Sequence, residues 1–435
     1  MPMQGHGHAT NALRIANARV PLCLLEGEFA DLGEGLALVD IEVADGAIAA
    51  VTAVGTKSKP QDIALIDQDG GQVWPGLVDL HTHLDKGHIW PRAENPDGTF
   101  GAALEAARAD RRARWSPEDV RARFEFGLRC ALAHGTVAIR THLDSLPPQE
   151  RITWPLFCEL RAAWAGRIDM QGVALVTPDE IRAPFGEALA DLVAESGGIL
   201  GCVTWMVPDL DAVLDRPFAL AAEHGLDLDL HVDESLDPGA RSLRRIAEAA
   251  LRNRFEGKVL CGHCCSLSVQ PPEEASATLE LVREAGIAMV GLPMCNLYLQ
   301  DRAPGRTPRR RDATLLHEIA ARGIAVALAS DNCRDPFFAY GDHDVLEVFR
   351  EAVRISHLDR PVGAWPAAVT RTPAGIMGLQ ERGRIVPGVP ADLVLFRDRG
   401  WSEVLSRPQA DRVVLRAGRP IDRALPGYRE LDGLS

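Results

Sequence analysis

The sequence lacks any uncharged apolar run of about 18 residues, so it offers no candidate membrane span. Its first residues lack a basic segment followed by an apolar one, which argues against a secretory signal. It also lacks an excess of positive charge, because 47 Lys and Arg face 61 Asp and Glu, a net charge of −14. A chain this acidic does not neutralise phosphates, so we expect no nucleic-acid or anionic-membrane partner.

Two families of short motifs are absent as well. There is no GxGxxG and no GxxxxGK[ST], so nothing in the sequence supports nucleotide binding. Cys264 and Cys265 are adjacent and lie beside a histidine, but no CxxC partner exists elsewhere among the nine cysteines, which argues against zinc held by cysteines. An odd number of unpaired cysteines is typical of reduced thiols, so we expect a cytoplasmic protein. Whether Cys264 and Cys265 matter to the adjacent His263 is left open, because exposure decides thiol reactivity.

What the sequence does contain is a strand–helix alternation in its middle. Short apolar strand patterns alternate with amphipathic helical patterns over about residues 73–380. This alternation predicts an α/β fold with a parallel sheet, and its length favours a (β/α)8 TIM barrel over a doubly wound sheet. Residues 1–72 and 381–435 have β character, and we predict that they pair into one small β-sandwich.

Polar residues follow the apolar strand patterns of this middle region. The first pattern runs into His81 and His83, which share one face of an extended strand. Four further strand patterns end in His142 and Asp144, in His231, Asp233 and Glu234, in His263, and in Asp331 and Asn332. The active site of a (β/α)8 barrel lies at the carboxyl ends of its strands. A single such residue could instead cap a helix, but five strand ends in this pattern favour a functional site.

These residue types suit a catalytic metal. The predicted ligands of one divalent metal are His81, His83, His231 and Asp331. Such a set leaves one position open for water, whose pKa the metal lowers toward neutrality. Glu234 follows His231 closely enough to be the proton shuttle for that water. His263 and Asp331 are predicted to orient the water or to stabilise charge on the substrate.

The segments HTHLDKGH, HVDES, GHCCS and ASDNCRDPF resemble, in this order, the cytosine-deaminase-like branch of the amidohydrolase superfamily. The segments GLPMCNLYLQDR and PADLVLF add to the similarity, which extends from Ala12 to Ile421. The resemblance implies a barrel with one divalent metal, zinc or iron, and commonly a homo-oligomer. It also implies the ligands named above, Glu234 as proton shuttle and His263 as the histidine that positions the water. No lysine stands where the binuclear members carry a carboxylated lysine, which favours a single metal.

Two positions depart from the cytosine deaminases of that branch. Asn332 stands where they carry a second aspartate, and Thr177 stands where they carry a glutamine that reads the pyrimidine edge. Both changes alter the donor and acceptor pattern offered to the ring, and the second enlarges the pocket. Cytosine-like pyrimidines and pterins are therefore the substrate candidates, with triazines third. The triazine N-alkylamino hydrolases of the branch lack the glutamate that Glu234 matches.

Two further residues are predicted near the substrate. Trp90 lies in the loop after the first histidine pair and either stacks on a planar ring or packs within that loop. Gln300 ends the NLYLQ segment and is a candidate for ring contact.

The sequence thus predicts a metal-dependent aminohydrolase, a deaminase that converts an exocyclic amino group of a nitrogen heterocycle to a carbonyl and releases ammonia. One alternative is hydrolysis of a cyclic amide or of an N-alkylamino triazine. An alternative from another class is a catalytically idle metal-binding barrel, which would be expected to have lost a site residue.

Overall fold

The computed structural model describes residues 12–55, 63–311 and 313–434. Its strands are β1 Leu13–Pro21, β2 Leu36–Ala44, β3 Ala47–Ala53, β4 Ala64–Asp67, β5 Val73–Pro75, β6 Leu77–Thr82, β7 Thr136–Asp144, β8 Asp169–Leu175, β9 Leu200–Thr204, β10 Leu228–Val232, β11 Val259–His263, β12 Ala288–Gly291, β13 Val326–Leu328, β14 Leu393–Leu395, β15 Val413–Arg416 and β16 Arg419–Pro420. Its α-helices are α1 Phe100–Arg114, α2 Pro117–His134, α3 Glu150–Ala163, α4 Pro178–Arg182, α5 Pro184–Glu195, α6 Leu210–His224, α7 Ser242–Arg252, α8 Pro272–Glu284, α9 Pro293–Leu299, α10 Leu316–Ala321, α11 Val345–Ser356, α12 Arg371–Ile376 and α13 Trp401–Ser406. Within the described ranges, no helix combines the length and the apolar character that crossing a bilayer requires.

Strands β6 to β13 are parallel and follow one another around a barrel. Strands β6 to β8 form one sheet and β9 to β13 form another. The backbone N–H of Ile199 donates to the carbonyl of Gly172 at 3.0 Å, which joins β8 to the start of β9. On the other side, the N–H of Asp331 donates to the carbonyl of His81 at 2.8 Å, which joins the end of β13 to β6. The predicted (β/α)8 barrel is confirmed, rather than the doubly wound sheet.

Local sequence signals explain where these elements begin and end. Helix α2 is capped at its start by Ser116, whose hydroxyl accepts a hydrogen bond from the N–H of Asp119, and at its end by Gly135, which has a φ of 98°. That left-handed conformation costs glycine little, so the helix stops there and the chain enters β7. All nine residues of β7 are buried. A strand that is buried along its whole length is expected where helices cover the outside of a parallel sheet.

The chain segments on either side of the barrel form the predicted β-sandwich. One sheet has the order β3-β2-β1-β4 and the other the order β16-β15-β14-β5. Strands β2 and β3 are joined by a two-residue turn at Asp45 and Gly46, with φ values of 51° and 81°. Both residues adopt the left-handed backbone conformation that a tight two-residue hairpin turn requires.

Strand β5 lies before the barrel in sequence but pairs antiparallel with β14, which lies after it. Trp74 of β5 is fully buried and packs edge-on against Phe349 and Phe396, with ring centroids 5.3 and 5.7 Å apart. This packing fixes the C-terminal sheet against the barrel helix α11. The domain boundaries after residues 72 and 380 stay a prediction.

Candidate active site

The four predicted metal ligands converge at the carboxyl ends of three barrel strands. His81 lies in β6, His83 follows directly, His231 lies in β10, and Asp331 comes after β13. The Nε2 atoms of His83 and His81 lie 3.2 and 3.6 Å from the same Oδ1 atom of Asp331. The Nε2 atom of His231 lies 3.4 Å from that of His83. Four potential ligand atoms therefore surround one point at the floor of the barrel mouth.

This group of residues fits a divalent cation. All four side chains are buried, yet Nε2 of His81 and both carboxylate oxygens of Asp331 have no hydrogen-bond partner. Unpartnered buried polar atoms are costly, and a cation would satisfy them together. Burial lowers the pKa values of His81, His83 and His231 well below the usual range. The imidazoles are therefore neutral, which is the form that binds metals.

Glu234 and His263 lie beside the ligand group. The Oε1 atom of Glu234 is 3.5 Å from Nδ1 of His263, and the two side chains cluster with Asp331. The side-chain amide nitrogen of Asn296 lies 3.0 Å from the same Nδ1 atom and so fixes the imidazole ring. Burial, followed by the charge of Asp331, raises the pKa of Glu234 well above its usual value. A raised pKa favours the protonated carboxyl group, which is the form that can donate a proton.

Asp233 shapes the turn that presents Glu234. It adopts a φ of 45°, and its carboxylate accepts hydrogen bonds from the N–H groups of Ser242 and Leu243, both at 3.0 Å. These bonds tie the end of β10 to the first turn of α7. Asp233 therefore has a helix-capping role, and the reversal it makes turns Glu234 toward the metal ligands.

A cavity of about 700 Å³, measured out to its mouth, opens above these residues. The predicted site residues that line it are His83, Thr177, His231, Glu234, His263, Asp331 and Asn332. Trp90 and Gln300 are not among its lining side chains. The side chain of Gln300 instead donates to the carbonyl of Glu234 at 3.1 Å, and the N–H of Trp90 donates to the carbonyl of Arg334 at 2.8 Å. The geometry therefore gives Gln300 a place behind Glu234 and places Trp90 in a packed loop.

Asn332 lines the cavity but its amide is already engaged. Its Nδ2 donates to Oδ2 of Asp335 at 2.7 Å, and the other carboxylate oxygen of Asp335 accepts from the N–H of Phe337 at 2.8 Å. The Sγ atom of Cys295 lies 3.6 Å from the Asn332 oxygen. The position that carries an aspartate in the cytosine deaminases thus holds a neutral amide here, which is hydrogen-bonded to Asp335 and Cys295.

The cavity wall also holds cations that the sequence patterns did not indicate. Lys86 is buried, with its Nζ 3.8 Å from Oδ1 of Asp144 and 4.8 Å from the ring centroid of Phe337. Arg111 of α1 reaches the other oxygen of Asp144 at 2.8 Å. Burial lowers the pKa of Lys86, but the carboxylates of Asp144 and Asp335 outweigh it and raise that pKa overall. Lys86 lies within the HTHLDKGH segment, but no spacing rule points to it.

A second layer of buried residues supports the ligands from below. The ring of His142 packs on that of His81 with centroids 3.9 Å apart, and its Nε2 lies 3.8 Å from Asp229. Arg140 donates to the same carboxylate at 2.9 Å. His142 and Arg140 therefore support the ligands from behind, and the charge of Arg140 balances that of Asp229.

The open question about the adjacent thiols has a structural answer. Cys264 and Cys265 are 1% and 0% exposed, and burial raises the pKa of the Cys264 thiol well above its usual value. Reactive thiols are exposed and have lowered pKa values. Both side chains therefore belong to the packed core beside His263.

Comparison with known proteins agrees with this geometry. Residues 164–422 match the Amidohydrolase family. A pterin deaminase from Rhizobium rhizogenes is 56% identical over 97% of each chain. The structure of a 5-methylcytosine deaminase from Klebsiella pneumoniae liganded with 5-fluorocytosine superposes with a TM-score of 0.77 at 25% identity, over 94% of this chain and 97% of that one. An N-isopropylammelide isopropylaminohydrolase structure from Burkholderia multivorans gives a TM-score of 0.71 at 26% identity, over 94% and 98%.

These matches confirm the predicted superfamily and the predicted class of enzyme, a hydrolase that acts on carbon–nitrogen bonds. The family is metal-dependent, and this chain carries buried histidine and aspartate groups able to hold a metal. The chain belongs to the amidohydrolase family.

Proposed function

We propose that this chain is a metal-dependent deaminase whose substrate is a pterin. The observation that carries the proposal is the meeting of Glu234, His263 and Asp331 at the floor of a cavity that is also lined by the aromatic rings of Phe100 and Phe337. The relative at 56% identity, a pterin deaminase, supports the same substrate class. Deamination of a nitrogen heterocycle, as the sequence predicts, is thereby confirmed at the level of the reaction.

We propose a single divalent metal, zinc or iron, as the cofactor. Its ligands would be His81, His83, His231 and Asp331, whose unpartnered atoms were described above. When bound, such a metal supplies a water molecule that ionises near neutral pH.

The protein groups around that position carry the proton transfers. Glu234 donates its proton to the ring nitrogen beside the amino-bearing carbon while the water oxygen adds to that carbon. His263, fixed by Asn296, holds the water oxygen together with Asp331. Glu234 takes one proton from the attacking water and passes it to the amino nitrogen, the carbon–nitrogen bond breaks, and ammonia leaves. The remaining hydroxyl proton returns to Glu234 as the carbonyl forms. The ring keeps a carbonyl group in place of its amino group.

The side chains of the cavity support a ring larger than a pyrimidine. Thr177 is short, so it leaves room where a glutamine would reach into the cavity. Phe100 and Phe337, whose ring centroids are 5.6 Å apart, form an apolar wall away from the metal ligands. A second fused ring would pack against this wall, whereas cytosine alone would leave it bare.

The test is ammonia release from a panel of pterin, cytosine, 5-methylcytosine and N-isopropylammelide by metal-loaded enzyme. We expect the highest kcat/KM with pterin. A preference for either pyrimidine would overturn the substrate assignment but keep the reaction. Release of isopropylamine from N-isopropylammelide with no activity on pterin would replace the deaminase by an N-alkylamino hydrolase.

We also propose a cytoplasmic location, where thiols stay reduced. It is supported by the nine cysteines, all described, none of which forms a disulfide. The homo-oligomeric state, and the absence of nucleic-acid and membrane partners, stay predictions.

A further inference from the structure

A second cluster of metal-ligating side chains lies outside the proposed active site. It consists of His88, Cys333 and His343, which we call the seam cluster, and one ligand atom of each lies within 4.8 Å of the others. The three residues are 5%, 1% and 2% exposed. Both ring nitrogens of His88 and both of His343 lack a hydrogen-bond partner. Four unpartnered nitrogens on two buried rings are costly unless something binds them.

The cluster sits where the barrel closes. His88 belongs to the loop after β6, and Cys333 belongs to the loop after β13, the first and last strands of the barrel. The backbone N–H of His88 donates to the carbonyl of Cys333 at 3.0 Å, so the two loops already touch. His343 comes from the segment that leads into α11. A ligand bound by all three side chains would join three separate chain segments at this seam.

Space around the cluster is kept open by a glycine in a helix. A Cβ atom at Gly127, inside α2, would lie 2.9 Å from Nε2 of His343 and 2.8 Å from Leu84. Glycine inside a helix lowers stability, so its presence here makes room for the imidazole. Burial lowers the pKa of His343 to about 4 and that of His88 well below its usual value. Both rings are therefore neutral and able to bind a metal.

The seam cluster also has a route to solvent. His88 lines a second cavity, together with Arg92, Arg123 and Tyr428. Arg92 and Arg123 are both paired with the carboxylate of Asp119, at 2.5 and 2.7 Å. The charges of these two arginines are thus partly neutralised, and a third, Arg334, also lines the cavity. The cavity offers an entry path and space for a water ligand.

We propose that the seam cluster is a second metal site, in which His88, Cys333 and His343 bind Zn²⁺. One sulfur and two imidazole nitrogens are donors that zinc prefers in a tetrahedral site, with water as the fourth ligand. The site would act structurally, by joining the loops that follow β6 and β13. Because those two strands also position His81, His83 and Asp331, the seam metal would stabilise the active site from behind. The inference does not depend on which heterocycle is the substrate.

The first test is metal content of the full-length enzyme after zinc loading. We expect two zinc equivalents per chain in the wild type and one in Cys333→Ser and in His343→Gln. Both variants keep the ligands of the proposed active site, so they should still release ammonia. One equivalent in the folded wild type would overturn the proposal, and this result needs no variant to fold.

The second test uses Co²⁺ in place of zinc, because cobalt bound to a cysteine sulfur absorbs strongly in the near ultraviolet. We expect this band in the wild type and its loss in Cys333→Ser. The matched control is Cys295→Ser, because Cys295 lies against Asn332 and is the cysteine best placed to reach a metal in the other site. A band that survives in Cys333→Ser but is lost in Cys295→Ser would overturn the assignment, and so would the absence of any band.

Discussion

At the scale of single residues, the proposed mechanism depends on a largely buried carboxyl group that lies beside the proposed metal ligands. Glu234 lies at the cavity floor beside His263 and Asp331, and Gln300 holds its backbone carbonyl. Asp233 makes the left-handed turn that places it there. Burial favours the protonated carboxyl, which is the state that general acid catalysis requires.

Replacement of this carboxyl tests its role directly. We expect Glu234→Gln to lower kcat for pterin deamination by roughly 10²- to 10⁴-fold, because the amide cannot transfer a proton. KM and metal content should change little, since the shape is kept. Initial rates of ammonia release, together with metal analysis, measure both. The exposed Glu273→Gln is the control, and wild-type kcat in Glu234→Gln would contradict the mechanism.

Thr177 tests the substrate assignment. We expect Thr177→Gln to lower kcat/KM for pterin by roughly tenfold to two-hundredfold, because the longer amide fills space that the second ring needs. Thr177→Ser keeps that space and should stay close to the wild type. Steady-state kinetics on pterin and cytosine distinguish the two variants. If Thr177→Gln left pterin kinetics unchanged, Thr177 would not contact the substrate.

Residue types at strand ends made much of this site predictable. His81, His83, His231 and Asp331 each follow an apolar strand pattern, so topology alone brings them to one barrel mouth. Lys86 was not predicted, because it lies in an irregular loop and only the folded chain sets its side chain against the cavity. Likewise, the place of Trp90 in a packed loop and that of Gln300 behind Glu234 depend on loop packing that spacing does not encode.

At the scale of elements, the contact between β6 and β13 is the critical one, because it closes the barrel and carries the ligands. Besides the backbone bond from Asp331 to His81, the buried Asp79 of β6 accepts hydrogen bonds from the N–H and hydroxyl of Ser330, at 3.1 and 2.5 Å. These bonds fix the segment between β13 and Asp331.

Loss of this carboxylate should destabilise the barrel. We expect Asp79→Ala to lower the free energy of unfolding by about 1–3 kcal/mol, because it leaves buried donors of Ser330 without an acceptor. The exposed Asp211→Ala should change it by less than about 0.5 kcal/mol. Urea unfolding followed by circular dichroism measures both. Equal stability of the two variants would show that Asp79 does not stabilise the contact between β6 and the segment after β13.

At the scale of the whole molecule, an ion pair between the buried Arg412 and the largely buried Asp344 ties the C-terminal segment to the barrel. Arg412 binds both carboxylate oxygens of Asp344, and it also donates to the carbonyl of His134 at 3.2 Å. Asp344 in turn accepts from the N–H of Leu346 at 3.0 Å and so caps α11. The pair therefore joins the loop before β15 to two barrel helices.

Breaking this pair should be costly. We expect Arg412→Met to lower the free energy of unfolding by about 3–5 kcal/mol, because it leaves the carboxylate of Asp344 buried without its cation. Arg245→Met removes an exposed arginine that pairs with Glu248 and should cost at most about 1 kcal/mol. Chemical denaturation of the two variants is the measurement. A small effect of Arg412→Met would mean that this ion pair contributes little to holding the sandwich on the barrel.

The same pair predicts a pH dependence. Burial raises the pKa of Asp344, but the charge and hydrogen bonds of Arg412 outweigh this and lower it overall below its ordinary value of 3.8. A carboxyl with a lowered pKa stabilises the fold above its unfolded-state pKa and loses that contribution as the pH falls through its folded-state pKa. The stability difference between wild type and Arg412→Met should therefore shrink below about pH 4. A difference that stays constant down to pH 3 would contradict this.

The overall architecture was predictable because the spacing of apolar residues in strands and helices is a local feature of the sequence. The Asp45 and Gly46 turn and the end of α2 at Gly135 are signals of that kind. The pairing of β5 with β14 and the assembly of the seam cluster were not predictable. Both bring together segments far apart in sequence, and only the closed barrel defines their distance.

The buried histidine and aspartate group is proposed to hold the metal on which pterin deamination depends. Ammonia release from pterin by chelator-stripped enzyme, before and after zinc or iron is restored, tests it most directly. We predict no release from the stripped enzyme and recovery in the reloaded wild type but not in reloaded His231→Ala. Full release by the stripped, metal-free enzyme, or full recovery in His231→Ala, would contradict the account.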